Sequence, residues 1–205
     1  MKRLLTLSLA ALLAAALTGC GARGAKPVIY LYPEEETQVS VTLELDGTFT
    51  STYPDYGEGW TVTAAPDGTL TDPDTGRTYY CLFWEGIIDR QFDLSAGFCV
   101  AGEDTAAFLE DALARLGLTE REANEFIIYW LPRMEGSPYN LISFQTDTYT
   151  DAAELTIAPA PDTLIRVFMA WKGLERPVEI PAQELTAPAR TGFTAVEWGG
   201  AELGK

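Results

Sequence analysis

Residues 38–45, Gln-Val-Ser-Val-Thr-Leu-Glu-Leu, alternate polar and apolar without a break. Val39, Val41, Leu43 and Leu45 therefore share one face at period two, which predicts a half-buried strand. Asp46-Gly47 follows as a hairpin signal, with Thr48 to Tyr53 predicted as the returning partner. Trp60 to Ala64 alternates again, and Pro66-Asp67-Gly68 and Asp74-Thr75-Gly76 each turn the chain. A run dense in aromatic residues follows from Thr78 to Glu85. The first hundred residues thus predict an antiparallel meander of short strands.

The period then changes. Phe108, Leu109, Ala112, Leu113 and Leu116 fall on one helical face, and Gly117 suits the residue after a helix end. Thr119 with Glu122 three residues later is a capping-box pattern that opens a second helix. Ala123, Phe126, Ile127 and Trp130 form its apolar stripe, and Pro132 is expected to stop it. Strand patterns resume at Leu141 to Gln145, Ala153 to Ile157, Thr163 to Trp171 and Phe193 to Trp198. The mostly apolar Leu164 to Trp171 suits a central, well-covered strand. Proline-rich stretches at 158–161 and 177–188 read as extended connections. Strands, a helical hairpin and strands again predict an α+β fold: an antiparallel β-rich sheet or sandwich with one αα-hairpin packed on it.

The chain opens on Met1-Lys2-Arg3 and an apolar stretch of 14 residues from Leu4 to Leu17. As a helix that stretch spans roughly 21 Å, short of the ~30 Å hydrocarbon core, so it reads as a signal peptide rather than a permanent span. Leu17-Thr18-Gly19-Cys20 at its end resembles the lipobox of bacterial lipoproteins. The resemblance implies cleavage before Cys20, lipid attachment to its thiol, and a protein anchored on the extracytoplasmic face of the cell membrane. The expected organisation is a signal peptide over 1–19, a lipidated Cys20 and short tether over 20–26, and one domain over 27–205.

Three further segments, Lys26-Pro-Val-Ile-Tyr-Leu-Tyr-Pro33, Leu82-Phe-Trp-Glu-Gly86 and Leu131 to Glu135 with Pro138 to Phe144, occur in this order. Together they resemble a group of uncharacterised bacterial proteins, many of them exported. That resemblance covers most of residues 26–200 and implies one evolutionary unit, with no activity or site residues to carry over.

The net charge is −16, and the acidic residues are scattered among 47% apolar and 11% aromatic positions, which argues for a folded domain over a disordered acidic tail. So acidic a chain has no basic footprint for nucleic acid. Gly57-Glu58-Gly59 lacks the third glycine and the helix of a phosphate-binding loop, so no nucleotide is implied. Histidine is absent, which removes His-based nucleophile triads and the commonest metal ligand. Asp72-Pro-Asp74-Thr-Gly76 begins like a calcium loop, but Phe83 stands where the bidentate Glu would be needed, so a polar turn is expected. No metal or cofactor is predicted.

Carboxylates, aromatics and thiols remain. With Cys20 assigned to lipid, Cys81 and Cys99 form an even pair that is either bridged or buried as free thiols. Glu85 and Glu135 each sit beside bulky apolar groups just before a glycine. They are candidates for the two carboxylates of a glycoside hydrolase, or are simply solvated at strand and helix ends. Tyr53, Tyr56 and Trp60 are candidates for an exposed aromatic patch, against the alternative that they cover the sheet. Trp84 and Asn140 are weighed the same way, as ligand contacts or as core and turn residues. Three functions follow: a membrane-anchored module binding a glycan or envelope protein, a carboxylate-dependent glycoside hydrolase, and a structural subunit of an envelope complex.

Overall fold

The alternation at residues 38–45 becomes a strand whose inward face is Val39, Val41 and Leu43, all buried. It belongs to a computed structural model that describes residues 22–204. The strands are β1 (Ala22–Tyr32), β2 (Thr37–Leu45), β3 (Gly47–Tyr53), β4 (Trp60–Ala64), β5 (Leu70–Thr71) and β6 (Thr78–Tyr79). They continue as β7 (Leu82–Ile88), β8 (Phe98–Ala101), β9 (Tyr139–Gln145), β10 (Ala153–Ala158), β11 (Thr163–Leu174) and β12 (Thr194–Glu202). Helices α1 (Thr105–Arg115) and α2 (Glu120–Met134) lie between β8 and β9, and the short α3 (Asp147–Ala152) precedes β10.

A seven-stranded sheet runs in the order β3-β7-β1-β12-β11-β9-β8, and a five-stranded sheet in the order β10-β2-β4-β5-β6. The pair β11–β12 is parallel; the other described pairs are antiparallel. The fold is α+β, a two-sheet sandwich with the αα-hairpin as a third layer. Alternate residues of the large sheet serve two cores, as period two requires. Ile29, Leu31, Trp84, Phe168 and Ala195 face the small sheet, whereas Val28, Tyr30, Val167, Met169 and Trp198 face the helices. Helix residues Leu109, Leu113, Phe126, Trp130 and Met134 complete the second core.

The helix start follows the sequence closely. Thr119 Oγ1 accepts the Glu122 N–H at 3.3 Å and Glu122 Oε2 accepts the Thr119 N–H at 2.8 Å, closing the capping box. The Glu122 carboxylate also pairs with Arg190. Pro132 does not stop the helix, which continues to Met134. The hydrogen bond it removes belongs to Ile128, whose side chain is 74% exposed, so water replaces it cheaply. Residues between 175 and 193 run without regular structure, as the prolines predict, and screen the β8–β9 edge. Gly97 N–H donates to the Pro181 carbonyl, and the Gln183 amide both donates to and accepts from the Phe144 backbone.

Two expectations fail at pairing. Asp46-Gly47 is no hairpin: β2 pairs with β10 and β4, whereas β3 crosses to β7 in the other sheet. Residues 22–26 are not a tether either. They form the first half of β1, with Ala22, Arg23 and Gly24 opposite Ile88, Ile87 and Gly86. The predicted lipid site at Cys20 lies outside the described residues.

Candidate functional site

The helical hairpin covers the middle of the large sheet and leaves the helix-side face of β3 and β7 open. Phe83, Glu85 and Ile87 alternate onto this face, and register places Tyr53 beside Phe83 and Ser51 beside Glu85. Where that open face meets α2, a pocket of about 460 Å³ forms. Lys26 and Glu85 line it, with Phe83, Tyr129 and a rim of Tyr53, Tyr79 and Tyr80. Tyr53 and Tyr80 are 54% and 51% exposed, so the mouth is ringed by aromatic surface in contact with water. Tyr53 and Tyr79 brace each other edge to face, with centroids 5.5 Å apart.

Lys26 owes its place to a β-bulge. The register of β1 against both neighbours slips between Gly24 or Ala25 and Val28. There Lys26 adopts φ 59°, the left-handed region that non-glycine residues avoid. Such strain costs on the order of 1–3 kcal/mol and persists where surrounding structure imposes it. Gly199 makes the bulge possible: a Cβ on it would lie 2.9 Å from both Cα and Cγ of Pro27. The bulge turns the Lys26 ammonium toward three rings, with Nζ 5.7 Å from the Phe83 centroid, 5.9 Å from Tyr129 and 6.0 Å from Trp198. The Lys26 backbone N–H donates to Glu85 Oε1 at 3.3 Å. Arg133 stacks on Tyr129, with its guanidinium carbon 3.9 Å from the ring centroid. Cys81 forms part of the wall. Burial pushes its thiol up to about 11, against the opposing pull of the Lys26 ammonium.

Of the residues singled out in the sequence, this pocket gathers Glu85, Tyr53 and Cys81. Glu135 is exposed at the end of α2, leading into β9. Glu135 does not line the pocket: its carbonyl lies against Gly102, which follows β8 at the opposite edge of the large sheet from β3 and β7, so the two carboxylates do not flank one cleft as a glycosidase pair must. Trp60 and Trp84 are core residues at 3% and 0% exposure. Trp60 Nε1 donates to the Pro54 carbonyl at 2.9 Å, and the Tyr56 hydroxyl bridges the N–H and C=O of Leu43. Asn140 is fully buried, and its amide donates to Thr105 Oγ1 and the Met134 carbonyl, tying both helices to β9. Cys81 and Cys99 are free. They stand at β7 and β8, five strand spacings or roughly 24 Å apart, far beyond the reach of a disulfide. The loop at Asp72 is a polar turn in which Asp72 Oδ1 accepts the N–H groups of Asp74 and Thr75. Among the described residues no group of three or more His, Cys, Asp or Glu is placed to hold a metal ion.

Sequence reasoning missed Lys26 and Tyr129. The signal for Lys26 was a lone cation directly before Pro27 at the head of an apolar strand. Tyr129 carried none, because it lies between the two faces of an amphipathic helix.

The fold and pocket define an α+β sandwich with an aromatic-rimmed pocket at the junction of sheet and helix. An uncharacterised protein in the bglA 3′ region of Butyrivibrio fibrisolvens is 44% identical over 85 residues, which span 37% of this chain and 86% of that protein. The chain belongs to the family of that protein. No protein-family model and no solved structure matches it.

Proposed function

We propose that the chain is a cell-envelope lipoprotein, anchored at the membrane through Cys20, whose domain binds a glycan in the Lys26–Glu85 pocket. The observation that carries the glycan reading is a strained cation and a carboxylate inside a pocket whose mouth is ringed by tyrosines. Flat aromatic faces take the apolar side of a sugar ring, and the few polar groups between them fix its hydroxyls. The anchor rests on the Leu-Thr-Gly-Cys segment behind its apolar run. The separation of Glu85 from Glu135 is the reason no hydrolysis by that pair is proposed.

A glycan array and titration calorimetry on the full chain in detergent test the pocket. Binding that is lost with Tyr129→Ala and weakened by Glu85→Gln is expected. Undiminished binding in both variants, or none to any glycan, would refute the assignment. For the anchor, Cys20→Ala should leave the precursor without lipid label, and normal labelling of that variant would overturn it.

A further inference from the structure

Tyr80 borders two cavities. On one side its ring rims the Lys26 pocket, and on the other it lines a second cavity of about 460 Å³. Tyr30 and Tyr32 line that second cavity. They stand two apart on β1, so they point the same way, and their rings are parallel within 2° with centroids 6.2 Å apart. Tyr80 tilts against Tyr30 at 6.5 Å, which makes the aromatic surface continuous from one cavity to the other.

The far wall comes from the other sheet. The β4–β5 turn carries Gly68 at φ 86°, where a Cβ would lie 2.7 Å from the Tyr32 ring. Glycine therefore lets this turn close against the tyrosine platform. The cations at the rim are already matched. Arg190 pairs with Glu122, and Arg121 Nε lies 3.5 Å from Glu125 Oε1. The Tyr30 hydroxyl donates to the same Glu125 at 2.7 Å. An anionic ligand gains little from walls whose arginines are already paired and which also carry the Asp67 carboxylate. A neutral ring with an apolar face and a hydroxyl edge matches them.

We infer that the two cavities are adjoining subsites for one uncharged oligosaccharide of at least two sugar units, with Tyr80 at the junction. This rests on the glycan reading of the Lys26 pocket and adds the length and charge of its ligand. Each cavity is of a size that holds a small ligand, and joining two subsites through one molecule raises affinity without new contacts elsewhere.

The test is calorimetric titration of the full chain in detergent with gluco-, xylo- and manno-oligosaccharide ladders, from monosaccharide to hexasaccharide, at low and high salt. Affinity should rise about ten-fold, equivalent to about 1.4 kcal/mol, between monosaccharide and trisaccharide of the preferred ladder, and salt should not change it. Thr69→Trp, which fills the second cavity, should abolish the rise and leave monosaccharide binding intact. Tyr80→Ala, which removes the wall the two cavities share, should weaken the trisaccharide more than the monosaccharide. Affinity independent of length, a rise unaffected by Thr69→Trp, or a rise that collapses at high salt would overturn the inference while leaving the Lys26 pocket a glycan site. Absence of binding by every member of every ladder would overturn the glycan reading and this inference with it.

Discussion

Arg166 and Glu197 face each other as register partners across the parallel strands β11 and β12, with Nε donating to Oε2 at 2.7 Å inside the inter-sheet core. The other carboxylate oxygen accepts the Trp84 indole N–H at 3.1 Å. Arg166 also donates to the Ala153 carbonyl of β10 at 2.8 Å and lies over the Tyr149 ring, so one ion pair links both sheets. A buried pair is costly to split, because one charge is then left without a partner. Glu197→Leu should lose about 3–5 kcal/mol in urea unfolding, and adding Arg166→Met should recover most of it. Equal losses in the single and double variants would show that the pair does not matter as a unit.

Two aromatic residues that the sequence groups together, Trp60 and Tyr53, should divide sharply. Trp60→Ala empties a site in the inter-sheet core and should cost about 3–5 kcal/mol. Tyr53→Ala removes an exposed side chain and should change stability by no more than about 0.5 kcal/mol while weakening glycan binding. Thermal unfolding and calorimetric titration of both variants check the division. A stable Trp60→Ala protein with impaired binding would return that residue to the ligand surface.

Gly199 sets the shape of the pocket without touching it. Gly199→Ala places a methyl against Pro27, and the bulge that carries Lys26 must shift to admit it. Overpacking of this kind costs typically 1–3 kcal/mol, so about that loss is expected, together with weaker ligand binding. Unchanged affinity in a destabilised Gly199→Ala protein would separate the bulge from the binding function.

Stability should fall in alkali. Burial raises the Cys81 thiol from 9.0 to about 11, so the folded chain holds this proton more tightly than the unfolded chain does. That contribution is complete below pH 9 and is lost as the pH climbs to about 11, on the order of 2–3 kcal/mol. Tyr30, Tyr32 and Tyr149 are also raised, chiefly by burial and then by the carboxylates beside them, and extend the loss to higher pH. Urea midpoints measured across this range should decline, and Cys81→Ala should flatten the first part of the decline. A flat profile in the parent protein would contradict the burial of these groups.

The elements were legible wherever one face decides the pattern. Val39, Val41 and Leu43 announce a strand, and Thr119 with Glu122 announces a helix start, because neighbours within a few residues settle both. Strand partners were not legible. Asp46-Gly47 carries the local signal of a hairpin, but Gly47 sits where a Cβ would come within 1.9 Å of the Ile87 carbonyl. Its glycine serves a contact with a strand forty residues on, which no local pattern reports. The site shared this fate. Glu85 and Tyr53 were visible as a carboxylate by a turn and a proline-flanked ring. Their company with Lys26 and Tyr129 depends on a bulge and on where α2 stops covering the sheet.

β1 is the first described strand and β12 the last, yet they lie side by side in the middle of the large sheet, with Val28 opposite Trp198. Such distant pairing is slow to form. It also imposes an order of events on synthesis. Until residues 194–202 have left the ribosome, β1 has a single neighbour, and the core beneath the helices lacks Val196 and Trp198. The nascent chain has no finished centre to fold around until this last described strand arrives.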